Sequence, residues 1–249
     1  MPTALTPELV EALRHAEHIA VLTGAGISAE SGVPTFRGAQ TGLWARYRPE
    51  DLATPEAFRR DPRLVWEWYA WRRELVWRAR PNAGHKALAA LEQRVPRLTL
   101  LTQNVDGLHQ QAGSRAVIEL HGNIHRNICA EDGAPVENWS LGLAGAPLCP
   151  RCGGLVRPDV VWFGEALPRP ALAAAFEAAA KCDLFLAIGT SALVQPAASL
   201  PLRALERGVP VLEINPEPTP LTERTAWALR GYAGRILPAL VDTAWPPAA

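Results

Sequence analysis

The chain has 249 residues, 48% of them apolar and 20% charged, an ordinary globular balance with apolar surface enough for a sizeable core. Its 25 lysines and arginines cancel 25 aspartates and glutamates, which argues against a strongly basic nucleic-acid binder and against an acidic disordered tail. No run approaches the roughly 18 apolar residues of a membrane span, and Met1 to Pro7 lacks the basic-then-apolar order of a signal peptide, so the expected setting is cytoplasmic, with no membrane partner.

Along the chain, Thr6 is placed to cap a helix, with Pro7 at its first position and Leu9, Val10 and Leu13 on its inner face. His18 to Leu22 is an apolar run ending in Thr23-Gly24-Ala25-Gly26, the pattern of a buried strand feeding a glycine turn. Asp61-Pro62 opens another helix, with Leu64, Val65, Trp68, Trp71 and Leu75 as its expected stripe, and a further helix is expected over 84–91. Strands are expected over 98–102 and 117–120. The first ends in Gln103-Asn104-Val105-Asp106 and the second in His121-Gly122. Residues 123–158 lose periodicity, gain glycine and proline, and hold three cysteines, as a small inserted module would. Alternation then resumes, with helices over 172–180 and 197–207 and strands over 184–188 and 209–214. The tips of those strands are Gly189-Thr190-Ser191 and Asn215-Pro216-Glu217.

Strands alternating with helices predict an α/β fold, a parallel sheet with helices on both faces. Five of the strands end in polar or glycine-rich tips, at Gly24, Gln103, His121, Gly189 and Asn215. Because ligands bind at the carboxyl ends of such strands, the five tips would form one site. Gly24-Ala25-Gly26-Ile27-Ser28-Ala29 fits the permissive G-x-G-x-x-A form of a dinucleotide loop, in which glycines let the backbone approach a pyrophosphate. Read alone, it leaves a plain strand-to-helix turn equally open. The acidic residue of an ordinary dehydrogenase, about 20 positions on, is missing. Trp44-Ala45-Arg46-Tyr47 stands there, after what reads as a loop through Phe36 and Arg37. A plain hydride-transfer enzyme is thereby disfavoured, and Glu213, Asn215 and Glu217 become the expected ribose contacts.

Taken together, Gly24-Ala25-Gly26-Ile27-Ser28, Thr35-Phe36-Arg37, Gln103-Asn104-Val105-Asp106, His121-Gly122, Gly189-Thr190-Ser191 and Asn215-Pro216-Glu217 resemble, in content and order, the motifs of the sirtuins. The resemblance extends over about residues 18–237. It implies a single catalytic domain, 1–249, carrying out NAD-dependent protein-lysine deacylation, with NAD and acyl-lysine proteins as partners. The Rossmann-like part would take in about 1–50, 95–125 and 155–249, a small helical part about 51–94, and a zinc-ribbon-like module about 126–156.

The implied reaction has the acyl oxygen of the lysine attack the ribose carbon that carries nicotinamide. A histidine then draws a proton from a ribose hydroxyl, a task suited to neutral imidazole near neutral pH. By resemblance His121 is that base and Asn104 orients the ribose or a water. Asp106 would hold the carboxamide of nicotinamide. Gly24, Ala25, Gly26, Ile27, Ser28, Gly189 and Ser191 would bind phosphates, with Phe36 and Arg37 closing over the reacting ribose. Gln103, Val105, Thr190, Asn215, Pro216, Glu217 and Ala233 complete the expected NAD contacts. Val161, Trp162 and Phe163 resemble the segment that pairs with the substrate peptide as an added strand. Without the resemblance that segment reads as a buried strand.

Tyr69 and Arg72 lie three apart on the expected helix and share a face. They match the Tyr-x-x-Arg signature of class III sirtuins, which implies a clamp for the distal carboxylate of succinyl or malonyl lysine. Ala53 would leave room for the longer chain. A phenol and a guanidinium suit a carboxylate; the plain alternative is an exposed pair of little consequence. Cys149 and Cys152 form a knuckle, with Cys129 upstream and Asp132 where the family has cysteine. The resemblance therefore implies zinc held by Cys129, Cys149 and Cys152, with Asp132 or water as the fourth ligand. Cys182 reads as a buried helix-end thiol. A protein ADP-ribosyltransferase and an NAD or ADP-ribose sensor on the same fold are the alternative functions.

Overall fold

The computed structural model describes residues 5–34, 47–142 and 145–246. Phe36 and Arg37 lie outside them. Helix α1 (Pro7–His15) opens under Thr6, whose hydroxyl accepts from Leu9 N, and buries Leu9, Val10 and Leu13. Strand β1 (His18–Thr23) follows and is buried throughout. After it come the four-residue helix α2 (Gly26–Ala29), then α3 (Pro49–Leu52), α4 (Pro55–Arg60), α5 (Pro62–Arg78) and α6 (Ala83–Glu92). The middle of the chain holds β2 (Arg97–Thr102), α7 (Leu108–Gln111), β3 (Val117–Glu119), β4 (Gly122–Cys129), β5 (Ser140–Leu141), β6 (Pro147–Leu148) and β7 (Val156–Val160). The last third holds α8 (Arg169–Lys181), β8 (Leu184–Ile188), α9 (Leu200–Glu206), β9 (Val211–Asn215), β10 (Trp227–Arg230) and α10 (Ala233–Ala244).

Six strands form the main sheet in the order β10-β9-β8-β1-β2-β3, every pair parallel. The chain runs outward from β1 to β3, returns, and continues on the other side of β1 from β8 to β10. The point where the order reverses is the β1/β8 pair, the place where open α/β sheets bind their ligands. Side chains alternate across the sheet. Ile19, Val21, Leu186 and Leu212 join Leu13, Leu88, Leu91, Leu237 and Leu240 in one core, under α1, α6 and α10. Ala20, Leu22, Phe185 and Val211 join Ala175, Ala179, Leu200 and Ala204 in another, under α8 and α9. Both faces are therefore covered, as the α/β reading requires.

A third core lies away from the sheet. It gathers Leu52, Ala53 and Phe58, Val65, Trp68 and Tyr69 of α5, and Ile124, Cys129, Cys149, Val156 and Trp162. Helices α3 to α5 and the cysteine-bearing segment thus share one apolar interior. Helix α6 packs on the sheet beside α10, not with α5.

Several sequence expectations need correction. The buried residues of α5 are Val65, Trp66, Trp68, Tyr69, Arg72 and Val76; Val65 and Trp68 were expected, whereas Leu64, Trp71 and Leu75 are only half-buried. The helix expected over 197–207 begins as a 3-10 turn, Ala197–Ser199, before α9. Strands β4, β5, β6 and β10 and helices α7 and α10 carry no separate sequence expectation, and α3 and α4 only as members of the expected helical part. Among the described residues no helix is long and apolar enough to cross a membrane.

Candidate functional site

The five expected tips stand side by side in sheet order: Asn215, Gly189, Gly24, Gln103, and His121 beyond β3. Backbone bonds stitch neighbouring tips together. Gly189 N–H donates to Ile214 O (2.9 Å), Gly24 N–H to Ile188 O (3.0 Å), Gln103 N–H to Thr23 O (3.0 Å) and Leu120 N–H to Thr102 O (2.9 Å). Side chains add a second row: Gln103 Nε2 donates to Thr190 Oγ1 and Asn215 Nδ2 to Thr190 O, both at 2.9 Å.

The glycines serve this junction. Gly26 N–H donates to Gly189 O at 2.9 Å. A Cβ on Gly24 or Gly26 would lie 2.8 Å from backbone atoms of residue 189, and Gly189 itself has φ +58°. The loop therefore needs glycine so that two strand tips can touch. This is a requirement of the protein's own packing, additional to the expected approach of a pyrophosphate. Because α2 spans only four residues, its dipole contributes little.

Behind the loop lies a buried polar network. Ser28 Oγ donates to Asp106 Oδ2 (2.7 Å), and Asp106 Oδ1 accepts from Leu108 N–H (3.0 Å). Asn104 Nδ2 donates to Gly24 O and to Ser28 Oγ, both at 3.1 Å. With its NH₂ so engaged, Asn104 faces any ligand through its amide oxygen, as an acceptor. His121 Nδ1 lies 2.9 Å from Gln103 O. A carbonyl can only accept, so Nδ1 carries the proton and Nε2 keeps its lone pair, the tautomer a general base needs. Burial lowers the pKa of His121, partly opposed by that carbonyl, which keeps the imidazole neutral near pH 7.

Two histidines left without a role belong to this network. His85 Nε2 lies 3.3 Å from Ser28 Oγ, and its ring is 4.9 Å from that of His109. Thr23 Oγ1 donates to Thr102 Oγ1 and so accepts from His109 Nε2, each at 2.9 Å. That leaves His109 Nδ1 as a buried acceptor without a partner among the described residues. Burial, reinforced by His85, pushes the pKa of His109 down to about 3. The Asn82 cap of α6, whose N3 position is His85, was the one local signal available for these residues. Glu213 is not an outward ribose contact. It is buried on β9 and ties Thr219, Thr222 and Arg230 into the β9–β10 connection. Ser191, Pro216 and Glu217 lie at the β8 and β9 tips, and buried Ala233 opens α10.

On the third core, Tyr69 and Arg72 are 2% and 9% exposed, which excludes the exposed-pair alternative. Tyr69 Oη accepts from Trp162 Nε1 at 2.9 Å, and Arg72 lies over the Trp68 ring at 5.1 Å. Burial pushes the Tyr69 hydroxyl up to about 12 and lowers the pKa of Arg72. A buried guanidinium of this kind strengthens any charge-assisted bond to a carboxylate. Residues Val161, Trp162 and Phe163 follow β7 instead of forming a strand. Val161 N–H donates to His121 O and Phe163 N–H to Ala53 O, each at 2.9 Å, so this segment joins the base to the α3–α4 connection.

The donor atoms of Cys129, Cys149 and Cys152 all lie within 4.8 Å of one another, a spacing and donor set that fit three corners of a zinc tetrahedron. Asp132 stands outside that group. Its carboxylate accepts from Ala134 N–H (2.9 Å) and faces Arg151 (3.4 Å). Cys182 is a buried thiol at the end of α8, pushed up to about 11 by burial.

A model of the Sir2 family matches residues 24–196. The chain is 53% identical over 240 residues to NAD-dependent protein deacylase 2 of Pyrobaculum aerophilum, covering 94% of each chain. It is 52% identical over 246 residues to NAD-dependent protein deacylase 1 of Pseudomonas aeruginosa, covering 96% of this chain and 98% of that one. Among solved structures, a Sir2 homolog–NAD complex matches with TM-score 0.91 at 47% identity, covering 97% of this chain and 94% of that one. A Sir2 complex with a p53 peptide and NAD⁺ matches with TM-score 0.86 at 31% identity, covering 96% of this chain and 98% of that one. With a family model spanning more than half of the residues, and relatives half identical over nearly their full length, the chain belongs to the Sir2 family.

Proposed function

We propose that this chain is an NAD-dependent protein-lysine deacylase, releasing nicotinamide and an O-acyl-ADP-ribose. The observation that carries the reading is the row of five stitched strand tips at the β1/β8 reversal, ending in a neutral His121 whose Nε2 is free to take a proton. Relatives named as NAD-dependent protein deacylases, and solved homologues holding NAD or a peptide, support it.

NAD, when bound, supplies a ribose carbon activated by its bond to nicotinamide. Gly24, Ala25, Gly26, Ile27, Ser28, Gly189, Thr190 and Ser191 form the loops suited to its phosphates. Gln103, Val105, Asn215, Pro216, Glu217 and Ala233 would complete the contacts to NAD. Asn104 orients the reacting ribose through its amide oxygen, and Asp106 accepts from the carboxamide. His121 Nε2 removes a proton from a ribose hydroxyl, and His121 O holds Val161 of the segment facing the peptide. Phe36 and Arg37 belong to the same reading through the resemblance alone. Cys129, Cys149 and Cys152 would hold a structural zinc ion, with Asp132 or water in the fourth position. The division into sheet, helical part and cysteine module belongs to this proposal, as does a cytoplasmic setting.

Tyr69 and Arg72 bind the distal carboxylate of succinyl or malonyl lysine beside Ala53, and acetyl lysine is accepted without that contact. The test compares matched succinyl- and acetyl-lysine peptides. The variant Tyr69→Phe with Arg72→Met should lose desuccinylation far more than deacetylation. Equal loss of both would sink the carboxylate assignment. Mass gained by a target protein, in place of acyl lost, would favour ADP-ribosyl transfer.

A further inference from the structure

Trp162 is held on every side. Its ring centroid lies 5.1 Å from that of Phe58, the two rings tilted by 50°, and the guanidinium of Arg157 lies over the indole, its central carbon 3.4 Å from the centroid. Arg157 grips Glu165 with both terminal nitrogens (2.5 and 2.8 Å) and donates to Val160 O at 2.8 Å. Glu165 in turn accepts from the backbone N–H of Trp162 at 2.8 Å. The planar fork, the carboxylate and the indole thus form a closed clamp, largely out of solvent, with Arg157 12% exposed. Only one polar atom of the Trp162 side chain remains to be aimed, Nε1–H, and it donates to Tyr69 Oη at 2.9 Å.

That bond has a consequence for Tyr69. A phenol oxygen can accept and donate, and its proton can swing between two in-plane positions. With the indole donating to it from one side, the O–H must point elsewhere, as a donor. Burial keeps that proton in place throughout the working pH range. A carboxylate can only accept, so a donating hydroxyl beside Arg72 complements it. An acetyl group ends in a methyl and gains nothing from either residue.

We propose that Arg157, with Glu165, is a specificity-determining positioning residue: its clamp on Trp162 sets the Tyr69 hydroxyl as a hydrogen-bond donor toward the carboxylate of an acidic acyl chain. This rests on the reading of Tyr69 and Arg72 given above. Lysine in place of Arg157 keeps the charge but not the planar fork that stacks and grips at once. Methionine keeps much of the bulk and loses both.

The test measures KM and kcat at saturating NAD for matched succinyl- and acetyl-lysine peptides. It uses the wild-type chain and Arg157→Met, Arg157→Lys, Trp162→Phe and Arg72→Met. Arg157→Met should raise KM for the succinyl peptide about tenfold, the scale of one misaligned hydrogen bond to a charged group, with kcat little changed. The succinyl-to-acetyl ratio of kcat/KM should fall accordingly, and Arg157→Lys should be intermediate. Should Arg157→Met fold poorly, Trp162→Phe removes the N–H and keeps a ring, and it should lower the same ratio. If Arg72→Met lowers the ratio while Arg157→Met and Trp162→Phe leave it unchanged, the role of Arg157 is refuted and the clamp reading stands. Parallel loss on both peptides would make Arg157 merely structural and also refute the proposal. If Arg72→Met itself leaves the ratio at the wild-type value, the carboxylate reading fails, and the role of Arg157 with it.

Discussion

Substituting alanine at three glycines separates what the nucleotide loop needs from what glycine merely permits. At Gly32, φ is +80° and an added Cβ would meet nothing within 4 Å among the described residues, so Gly32→Ala carries the left-handed backbone penalty, about 1–2 kcal/mol. At Gly26 the Cβ would lie 2.8 Å from Gly189 Cα and Gly189 O, backbone atoms that do not yield, an overpacking cost of about 1–3 kcal/mol. Gly189→Ala combines both: φ +58° and a Cβ 2.5 Å from Ile27 N give about 2–5 kcal/mol together. For a chain of this length each kcal/mol lowers Tm by about 2–4 °C, so Gly189→Ala should melt on the order of 10 °C below wild type and Gly32→Ala only a few degrees below. Scanning calorimetry gives Tm, and titration calorimetry gives the affinity for NAD. Gly26→Ala and Gly189→Ala should weaken NAD binding because the two tips must separate, whereas Gly32→Ala should bind as wild type does. If Gly189→Ala melts no lower than Gly32→Ala and binds NAD unchanged, the tip-to-tip packing is not what demands glycine.

His121→Ala should retain NAD binding and lose turnover by about 10²–10⁴-fold, read by nicotinamide release in single-turnover and steady-state assays. Because burial lowers the pKa of His121 and the base acts when neutral, the acid limb of kcat/KM should fall below the ordinary imidazole value of about 6.5; a limb above it would contradict the assigned tautomer and burial. His109, with its folded pKa at about 3, binds a proton more readily when unfolded. Stability should therefore be complete above about pH 6.5 and decline toward pH 3, by up to about 1.4 kcal/mol per pH unit for this one proton. His109→Gln should flatten that decline in denaturant titrations at several pH values; an unchanged slope would assign it to other groups. Asp132→Cys should slow zinc loss to a chromogenic chelator, and chelation should lower Tm, since Cys129 and Cys149 sit in the third core. Identical release from both chains would mean that Asp132 is no weak point.

The sheet was legible because its strands are apolar runs closed by polar tips, and five such tips proved adjacent in space. Helix α10 escaped notice because Pro238 lies inside it and reads as a breaker, and β10 because a four-residue, half-buried edge strand carries little periodicity. On α5 the expected stripe ran through Leu64, Trp71 and Leu75, while the fold turns Tyr69 and Arg72 inward among tryptophans. His121 stood out beside Gly122 in a motif. His85 and His109 did not, because their partners Ser28 and Thr23 are 57 and 86 residues away. Glu213 looked like a ligand contact for a different reason: its partners Thr219, Thr222 and Arg230 are near in sequence, but nothing in the pattern shows that the connection folds back onto it.

The central claim is tested most directly by mass spectrometry of the purified chain with NAD and an acyl-lysine peptide. The account predicts that acyl loss requires NAD and is matched by equal nicotinamide and O-acyl-ADP-ribose, with the succinyl peptide consumed as well as the acetyl one. Tight NAD binding with no acyl lost from either peptide would contradict it.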